Sequence, residues 1–140
     1  MKNGKTIKHL STTAWKLMSE YVRQSEAVNG YCTCVSCGFI EHWKNFDAGH
    51  FVHAGTGGKQ NPVSYDFRNI HSQCRFCNRQ IGAKHRHPGN VTIMYTRYMI
   101  RNYGDGIIDQ LEAIKKQPWF RFEELQTQIS ILKVKLGELK

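Results

Sequence analysis

The sequence predicts an α+β fold in which a small cysteine-bound core of strands and turns is flanked by helices. Two C-x-x-C pairs enclose a segment rich in aromatic and β-branched residues. An amphipathic helical pattern precedes the pairs, and further helical patterns follow them. We therefore expect an N-terminal helical segment (1–30), a core (31–104) and a C-terminal helical segment (105–140).

The composition favours a partner with many negative charges. Twenty Lys and Arg residues against eleven Asp and Glu give a net charge of +9 at pH 7. Such an excess favours nucleic acid, because no basic amphipathic helix with a large apolar face points to a membrane surface. We find no apolar run of about 18 residues and no signal-peptide pattern, so we expect a cytoplasmic protein.

The N-terminal segment predicts a helix over residues 11–27, STTAWKLMSEYVRQSEA. Its apolar residues recur at helical spacing between Ala14 and Val22. Ser11 or Thr12 can cap the start, and the following Val-Asn-Gly ends the helix. We expect this helix to pack on the core.

Four of the five cysteines have the spacing of a structural zinc site. Cys34 and Cys37 form the first C-x-x-C pair, and Cys74 and Cys77 form the second. Each pair directs two thiolates at one point, and two pairs complete the tetrahedron that Zn²⁺ prefers. Redox-active or merely buried pairs are the alternative. Cys32 is left over and is not expected to be a ligand.

A hairpin and a helix are predicted between and after the two cysteine pairs. Residues 39–46 predict a strand, the glycine-rich stretch 54–62 a loop, and residues 63–67 a second strand that pairs back. Cys74 then opens a helix that runs to about Ile81. Two knuckles, a hairpin between them and a helix at the second knuckle describe a zinc-stapled treble clef.

The C-terminal part predicts three helices, over residues 91–104, 105–117 and 119–140. The last helix carries apolar residues at alternating three- and four-residue spacing, which is typical of an a/d seam. This seam spans fewer than three heptads, so it must dock on its own domain or on a second copy. We favour a homodimer through this helix. The seam consists of Phe122, Leu125, Ile129, Leu132, Leu136 and Leu139.

Three polar residues lie at offsets from the knuckles that suggest phosphodiester hydrolysis. His50 lies on the hairpin, where a neutral imidazole can act as a general base toward water. Asn69 can hydrogen-bond the hairpin backbone and fix the orientation of His50. Asn78 follows the last cysteine and can ligate a catalytic Mg²⁺ or Mn²⁺ through its amide oxygen. Together these residues indicate a ββα-metal, or HNH, nuclease site, in which zinc has only a structural role.

Several stretches resemble the NinG/Rap family of phage recombination endonucleases. They are SEYVRQSEAVNGYCTCVSCG, DAGHF, NIHSQCRFCN and the YG…LE segment. The resemblance covers most of the chain, from about Thr13 to the C-terminal helix. It implies a zinc-containing HNH endonuclease that works in the bacterial host and is encoded by a phage. The substrates it implies are branched recombination intermediates, D-loops and four-way Holliday junctions, cut with Mg²⁺ or Mn²⁺.

One position departs from the commonest HNH pattern. Gly49 precedes His50, whereas that pattern has Asp, Glu or His there as a metal ligand. Asp47 is our first candidate for the missing ligand. Side-chain alternation places it opposite His50, so a bulge at residues 48–49 would be needed to bring both into one cleft. Further candidates are His53, His71 and Asp66.

Basic residues near the site predict a path for DNA. Arg75 and Arg79 are four apart, share a helix face and could contact phosphates on either side of the cut. A solvated helix face is the alternative. Lys59 in the glycine-rich loop could reach a second duplex arm. The predicted DNA-binding set is Arg68, Arg75, Arg79, Lys84, Arg86 and Lys59.

These features predict a metal-dependent, structure-selective DNA endonuclease. One alternative is a zinc-scaffolded DNA-binding module without catalysis, and Gly49 is its best support. The other is a sequence-tolerant HNH nicking endonuclease without branch preference. The coincidence of His50, Asn69 and Asn78 argues against the binding module.

Overall fold

The computed structural model describes residues 4–55, 58–79 and 90–140. These residues form α-helices and two small antiparallel sheets, which confirms the α+β class. None of their helices is both long enough and apolar enough to cross a membrane. The helices are α1 (Ile7–Glu26), α2 (Arg75–Arg79), α3 (Val91–Tyr103), α4 (Ile107–Lys115) and α5 (Phe122–Glu138), and the strands are β1 (Tyr31–Thr33), β2 (Ile40–His42), β3 (Phe46–His50) and β4 (Ile70–Cys74).

Helix α1 begins one turn earlier than the sequence predicts. The hydroxyl of Thr6 accepts a hydrogen bond from the His9 backbone N–H at 3.0 Å and caps the helix. Ser11, which we expected at the cap, lies inside the helix and donates its hydroxyl to the Lys8 carbonyl. Thr6 is the cap because the residues that follow it already favour a helix. Its hydroxyl therefore precedes Ser11 and Thr12 as the capping oxygen.

The two sheets are both hairpins. Strands β1 and β2 pair around the first C-x-x-C turn. Strands β3 and β4 pair in unbroken register from Phe46↔Cys74 to His50↔Ile70. Helix α2 follows β4 directly, so the second cysteine pair lies at the junction of a strand and a helix. Its predicted end near Ile81 lies outside the described residues.

Two strand predictions need correction. The segment 63–67 is not a strand, because Pro62–Tyr65 forms a 3₁₀ turn capped by the Asn61 side chain, which accepts from the Val63 N–H at 3.0 Å. The partner of β3 is instead Ile70–Cys74. The predicted strand 39–46 is broken by a second 3₁₀ turn at Trp43–Asn45.

Helix α1 lies between the β3–β4 hairpin and α5. Its apolar face, which includes Leu10, Ala14, Met18 and Val22, forms one buried cluster with hairpin and α5 side chains. A second cluster joins α3 and α4 to the segment after β3 and to the 3₁₀ turn at Pro62–Tyr65. The hairpin is thus held from both sides.

The a/d seam of α5 is covered within the chain from Phe122 to Leu132, whereas Leu139 at its end is exposed. Leu125 and Leu132 are both 0% exposed and pack in the cluster formed by α1, while Phe122 and Ile129 pack at its edge. This is the own-domain alternative for the seam. A homodimer through α5 stays a prediction, and a partner helix could contact Leu125 and Leu132 only by displacing α1.

Truncation of Leu132 to alanine should therefore act on stability and not on assembly. We expect a loss of about 2–5 kcal/mol in the free energy of unfolding, the range for a fully buried leucine. Ile131→Ala, on the exposed side of the same helix, should change it far less. Chemical denaturation measures both. A Leu132→Ala protein of wild-type stability but altered oligomeric mass would contradict this packing.

Candidate functional site

The four cysteines of the two C-x-x-C pairs converge on one point. The Sγ atoms of Cys34, Cys37, Cys74 and Cys77 all lie within 4.8 Å of one another. The Sγ atoms of Cys37 and Cys74 are 3.8 Å apart. Tetrahedral coordination with Zn–S bonds of about 2.3 Å requires sulfur–sulfur distances of about 3.8 Å. The cluster could therefore hold a metal ion such as zinc.

The backbone around the cluster is arranged to receive negative charge on sulfur. The N–H groups of Cys37 and Cys74 point at the Cys34 sulfur, at 3.4 and 3.3 Å. Burial works to raise the pKa of the Cys34 thiol, but these N–H groups outweigh it and the net shift is downward. For Cys37, burial and the neighbouring sulfurs raise the pKa to about 11. Binding of a cation by these thiols would displace their protons to solvent and leave thiolate ligands.

Cys32 does not join the cluster. It is fully buried on β1, and its thiol donates to the Arg23 carbonyl at 3.1 Å. Burial raises its pKa. This agrees with the prediction that Cys32 is not a ligand.

His50 is the last residue of β3, and its imidazole is held on two sides. Nε2 lies 3.2 Å from the Ser64 carbonyl oxygen, and the ring stacks on Trp15 with centroids 4.7 Å apart. A carbonyl can only accept, so Nε2 carries the proton and Nδ1 keeps a lone pair. Burial lowers the pKa of His50 to about 4, against a smaller opposing effect of the Ser64 carbonyl. His50 is therefore a neutral base at pH 7.

The lowered pKa of His50 predicts a pH dependence of stability. The unfolded imidazole takes up a proton below about pH 6.5, whereas the folded one does so only near pH 4. Between these values the unfolded state binds more protons, so stability falls as the pH falls through this window. We expect a loss of about 1 kcal/mol at pH 5.5 and up to about 3 kcal/mol below pH 4.

The measurement is denaturant unfolding of wild type and His50→Gln at pH 7 and pH 5.5. Acid release of a cysteine-bound metal affects both proteins, so the difference between them isolates His50. The free energy of unfolding should depend more steeply on pH in wild type than in His50→Gln. Equal pH dependence would show that His50 titrates normally in the folded protein.

Asn69 fixes the two backbone segments that flank His50. It is 0% exposed. Its Oδ1 accepts from the Val52 N–H at 2.7 Å, and its Nδ2 donates to the carbonyls of Val52 and Val63, both at 3.0 Å. Val52 follows His50 along the chain, and Val63 precedes the Ser64 carbonyl that holds the ring. Asn69 therefore hydrogen-bonds the backbone near His50, and its role in orienting His50 stays a prediction.

Asn78 lies on α2 and is oriented by Asp47. Its Nδ2 donates to an Asp47 carboxylate oxygen at 3.0 Å. Only the amide nitrogen can make this bond, so the Asn78 amide oxygen faces the other way. Asp47 also accepts two hydrogen bonds from Arg79, at 2.9 and 3.1 Å.

His50 and Asn78 line one cleft, which we call the His50 cleft. It has a volume of about 170 Å³, room for several water molecules, and His53, Gln73 and Tyr95 also line it. The Tyr95 hydroxyl donates to the Gly49 carbonyl at 2.7 Å and so holds the backbone next to His50. The cleft therefore combines a neutral base with side-chain amide groups.

Three of the four other candidates for a metal ligand lie outside the His50 cleft. The unbroken β3–β4 register contains no bulge, so Asp47 lies on the face opposite His50 and is engaged by Arg79. His71 is tied to Glu26 at 2.6 Å and to Tyr103, and Asp66 is paired with Arg68 at 2.8 Å. Of the four candidates, only His53 lines the His50 cleft.

A basic groove adjoins the His50 cleft at Asn78, which lines both. It has a volume of about 450 Å³, and four cationic side chains surround the single carboxylate of Asp47. These side chains are Arg23 of α1, Lys44 of the 3₁₀ turn, and Arg75 and Arg79 of α2. The excess positive charge suits a run of phosphates next to the cleft.

The predicted DNA-binding residues do not all share this groove. Arg75 and Arg79 lie in it, and Lys59 lines a second cavity beside His50. Arg68 is instead paired with Asp66, and its guanidinium donates to the Gln110 Oε1 atom at 2.9 Å. Lys84 and Arg86 lie outside the described residues.

Several residues of this region were missed by the sequence analysis. Arg23 reaches the groove from α1 and Lys44 from the 3₁₀ turn before β3, and no local pattern marks either residue. Ser64 acts through its backbone carbonyl, which any residue type provides. Tyr95 resembles an ordinary core residue of a helix, and only its hydroxyl reveals its role.

The chain is similar to proteins from several phages. Residues 2–140 match the family model described as Bacteriophage Lambda NinG protein. Protein ninG of Salmonella phage P22 is 27% identical over 135 residues, covering 91% of this chain and 61% of that relative. Protein ninG of Escherichia phage 933W is 27% identical, covering 91% and 62%. Protein ninG of Escherichia phage lambda is 26% identical, covering 91% and 61%.

The chain spans about 61% of the length of the curated relatives it matches. No solved structure matches it.

Proposed function

The chain belongs to the NinG family, and from this premise we propose that it is a metal-dependent DNA endonuclease of the HNH type. Its substrates would be branched recombination intermediates such as D-loops and four-way Holliday junctions. One observation carries the proposal. A neutral histidine, held in a single tautomer, lines the same cleft as an asparagine whose amide oxygen is directed by a fixed hydrogen bond.

The arrangement around the cleft supports the treble-clef part of the proposal. Strands β3 and β4 and helix α2 follow one another as strand, strand and helix, and the cysteine cluster joins β4 and α2 to the first knuckle. Val35 within that knuckle donates to the Ser72 carbonyl of β4 at 3.0 Å. A zinc ion in the cluster would lock these parts together without taking part in the chemistry.

His50 would act as the general base. The lone pair on Nδ1 takes a proton from the water that attacks the scissile phosphate, while Nε2–H donates to the Ser64 carbonyl. That carbonyl stabilises the imidazolium as it forms. Stacking on Trp15 holds the ring in place and limits its access to solvent.

The cleft fits a divalent cation that keeps most of its water ligands. Asn78 would hold it through its amide oxygen, the kind of hard donor that Mg²⁺ and Mn²⁺ accept. When bound, the ion would polarise the phosphate and stabilise the leaving oxygen. Among the described residues, the only close group of His, Cys, Asp and Glu side chains is the cysteine cluster. The cation would therefore bind weakly until a phosphate completes its coordination.

The basic groove would hold the DNA backbone beside the cleft. Arg79 is half exposed, so a phosphate can contact its guanidinium while the ion pair with Asp47 is kept. Arg75 lies 4.0 Å from the same carboxylate. Since Asn78 lines both the groove and the cleft, a strand bound in the groove passes the base.

The test is a cleavage assay on a labelled four-way junction and a linear duplex of matched sequence. Zinc-containing protein is incubated with Mg²⁺, Mn²⁺ or EDTA. We expect metal-dependent cutting of the junction and much slower cutting of the duplex. Tight binding without cutting in any metal would instead support the DNA-binding module. Equal cutting of both substrates would support a nicking endonuclease without branch preference.

A further inference from the structure

We propose that Gln73 is the second protein ligand of the divalent cation, in the space that a side chain at position 49 would otherwise fill. This inference rests on the proposed function, because it concerns the same cleft. Gly49 has no side chain and cannot provide a ligand. We assign that ligand to β4, the strand that faces Gly49 in the hairpin.

The space beside Gly49 is occupied by two amide oxygens. A Cβ atom added to Gly49 would overlap the Gln73 Oε1 atom and lie 2.9 Å from the Asn78 Oδ1 atom. Both oxygens therefore lie around the single point where a side chain at position 49 would begin. Gly49 is required here for space and not for conformation, because its φ angle is one that any residue adopts.

The Gln73 side chain is fixed with its oxygen toward this point. Gln73 is 3% exposed and lies on β4, and its Nε2 donates to the Ser36 hydroxyl at 2.8 Å. Ser36 lies within the first C-x-x-C turn, so the knuckle itself orients the amide. The remaining polar atom, Oε1, faces Gly49 and the cleft.

Asn78 is fixed in the same manner from the other side. Its nitrogen is held by Asp47, and Asp47 is held by Arg79. Asp47 is thus a positioning residue for Asn78 and not a ligand, since its charge is already neutralised by Arg79. Two amides with tethered nitrogens therefore present two oxygens to one place.

This donor set suits Mg²⁺ or Mn²⁺. Both ions take oxygen ligands and accept amide carbonyls, and they commonly use few protein ligands together with waters and substrate phosphates. Because both amide ligands are neutral, they do not reduce the positive charge with which the ion attracts the phosphate. The site would bind the ion weakly in the free protein and more tightly once DNA is present.

The experiment measures Mn²⁺ binding to the zinc-loaded full chain, read from the loss of the electron paramagnetic resonance signal of free Mn²⁺. Wild type is compared with two variants. Gln73→Met removes the side-chain oxygen, whereas Gln73→Glu retains an oxygen ligand in its carboxylate. Loss of a ligand should weaken Mn²⁺ binding at least tenfold. We expect that loss in Gln73→Met and equal or tighter binding in Gln73→Glu. Gln117→Met on the surface is the matched control and should bind Mn²⁺ as wild type does.

A ligand exchange guards against the possibility that Gln73→Met simply disturbs the hairpin. Gly49→Asp alone places its Cβ atom where the Gln73 Oε1 atom lies and displaces that oxygen, so it should weaken Mn²⁺ binding. Gly49→Asp combined with Gln73→Ala has room for the new carboxylate and should restore binding. Zinc content and the unfolding transition are checked for each variant.

The outcomes separate this inference from the proposed function. Wild-type Mn²⁺ binding in Gln73→Met, or no recovery in the double variant, would overturn the assignment of Gln73 even if DNA is cut. Binding that follows the predicted order without any DNA cleavage would support Gln73 and overturn the nuclease. A wild-type protein that binds no Mn²⁺, alone or with DNA, would overturn the inference itself.

Discussion

Replacement of His50 by alanine should lower the rate of metal-dependent junction cleavage by about 10²–10⁴-fold, the usual contribution of a general base. The reason is that His50 is the neutral imidazole of the cleft, with Nδ1 left unprotonated by the Nε2–Ser64 contact. DNA affinity measured in EDTA should be nearly unchanged, because the cationic side chains of the groove are not altered. Single-turnover cleavage and a binding titration measure the two effects separately.

His9→Ala is the matched control for His50→Ala. His9 is exposed near the start of α1, on the surface, so its loss should leave cleavage at the wild-type rate. His50→Ala also removes the ring that stacks on Trp15, so zinc content and thermal unfolding must be compared first. A well-folded His50→Ala protein that cuts junctions at the wild-type rate would remove His50 from the mechanism.

Loss of the cysteine-bound metal should have the largest effect on stability. Structural zinc in small cysteine sites contributes about 10–16 kcal/mol of apparent binding free energy, which is also folding free energy. Cys74 ends β4 and is a member of the cluster, so Cys74→Ser should release the metal and unfold the hairpin. Circular dichroism and zinc content per chain measure this, and a strong chelator should act in the same direction on wild type.

Cys32→Ser separates the cluster from a general effect of losing a cysteine. Cys32 is equally buried but lies outside the cluster, and serine can still donate to the Arg23 carbonyl. This variant should keep one zinc per chain and unfold near the wild-type temperature. Zinc loss in Cys32→Ser, or a Cys74→Ser protein that retains zinc and its fold, would contradict the assignment of the ligands.

The parts of the fold that depend on local chemistry could be predicted from the sequence. The cysteine cluster follows from the spacing of the C-x-x-C pairs, and α3 follows from apolar periodicity and the glycine at its end. The partner of β3 could not be identified, because Asn61 and Pro62 favour a 3₁₀ turn in a stretch whose composition suits a strand. The partner of the α5 seam was also undecided, since a/d spacing shows that a face is covered but not by what.

Some residues of the candidate site could likewise be indicated by the sequence, and others could not. His50, Asn69 and Asn78 could be proposed because each lies at a short offset from a knuckle or on the predicted hairpin. Gln73 and Ser64 could not, because one lies beside Gly49 on the facing strand and the other contacts His50 through a backbone carbonyl. Alternation along β3 correctly separates Asp47 from His50 when no bulge is present.

The packing of α1 against α5 bears on when the surroundings of His50 are completed during synthesis. Trp15, which supports the His50 ring, lies on a helix whose apolar face is completed by Leu125 and Leu132. Contacts between such distant parts of a chain form late, after the intervening sequence has left the ribosome. A nascent chain can therefore assemble its cysteine knuckles before residues 122–138 emerge, while His50 still lacks its support. The proposed nuclease activity would then be withheld until translation has passed α5.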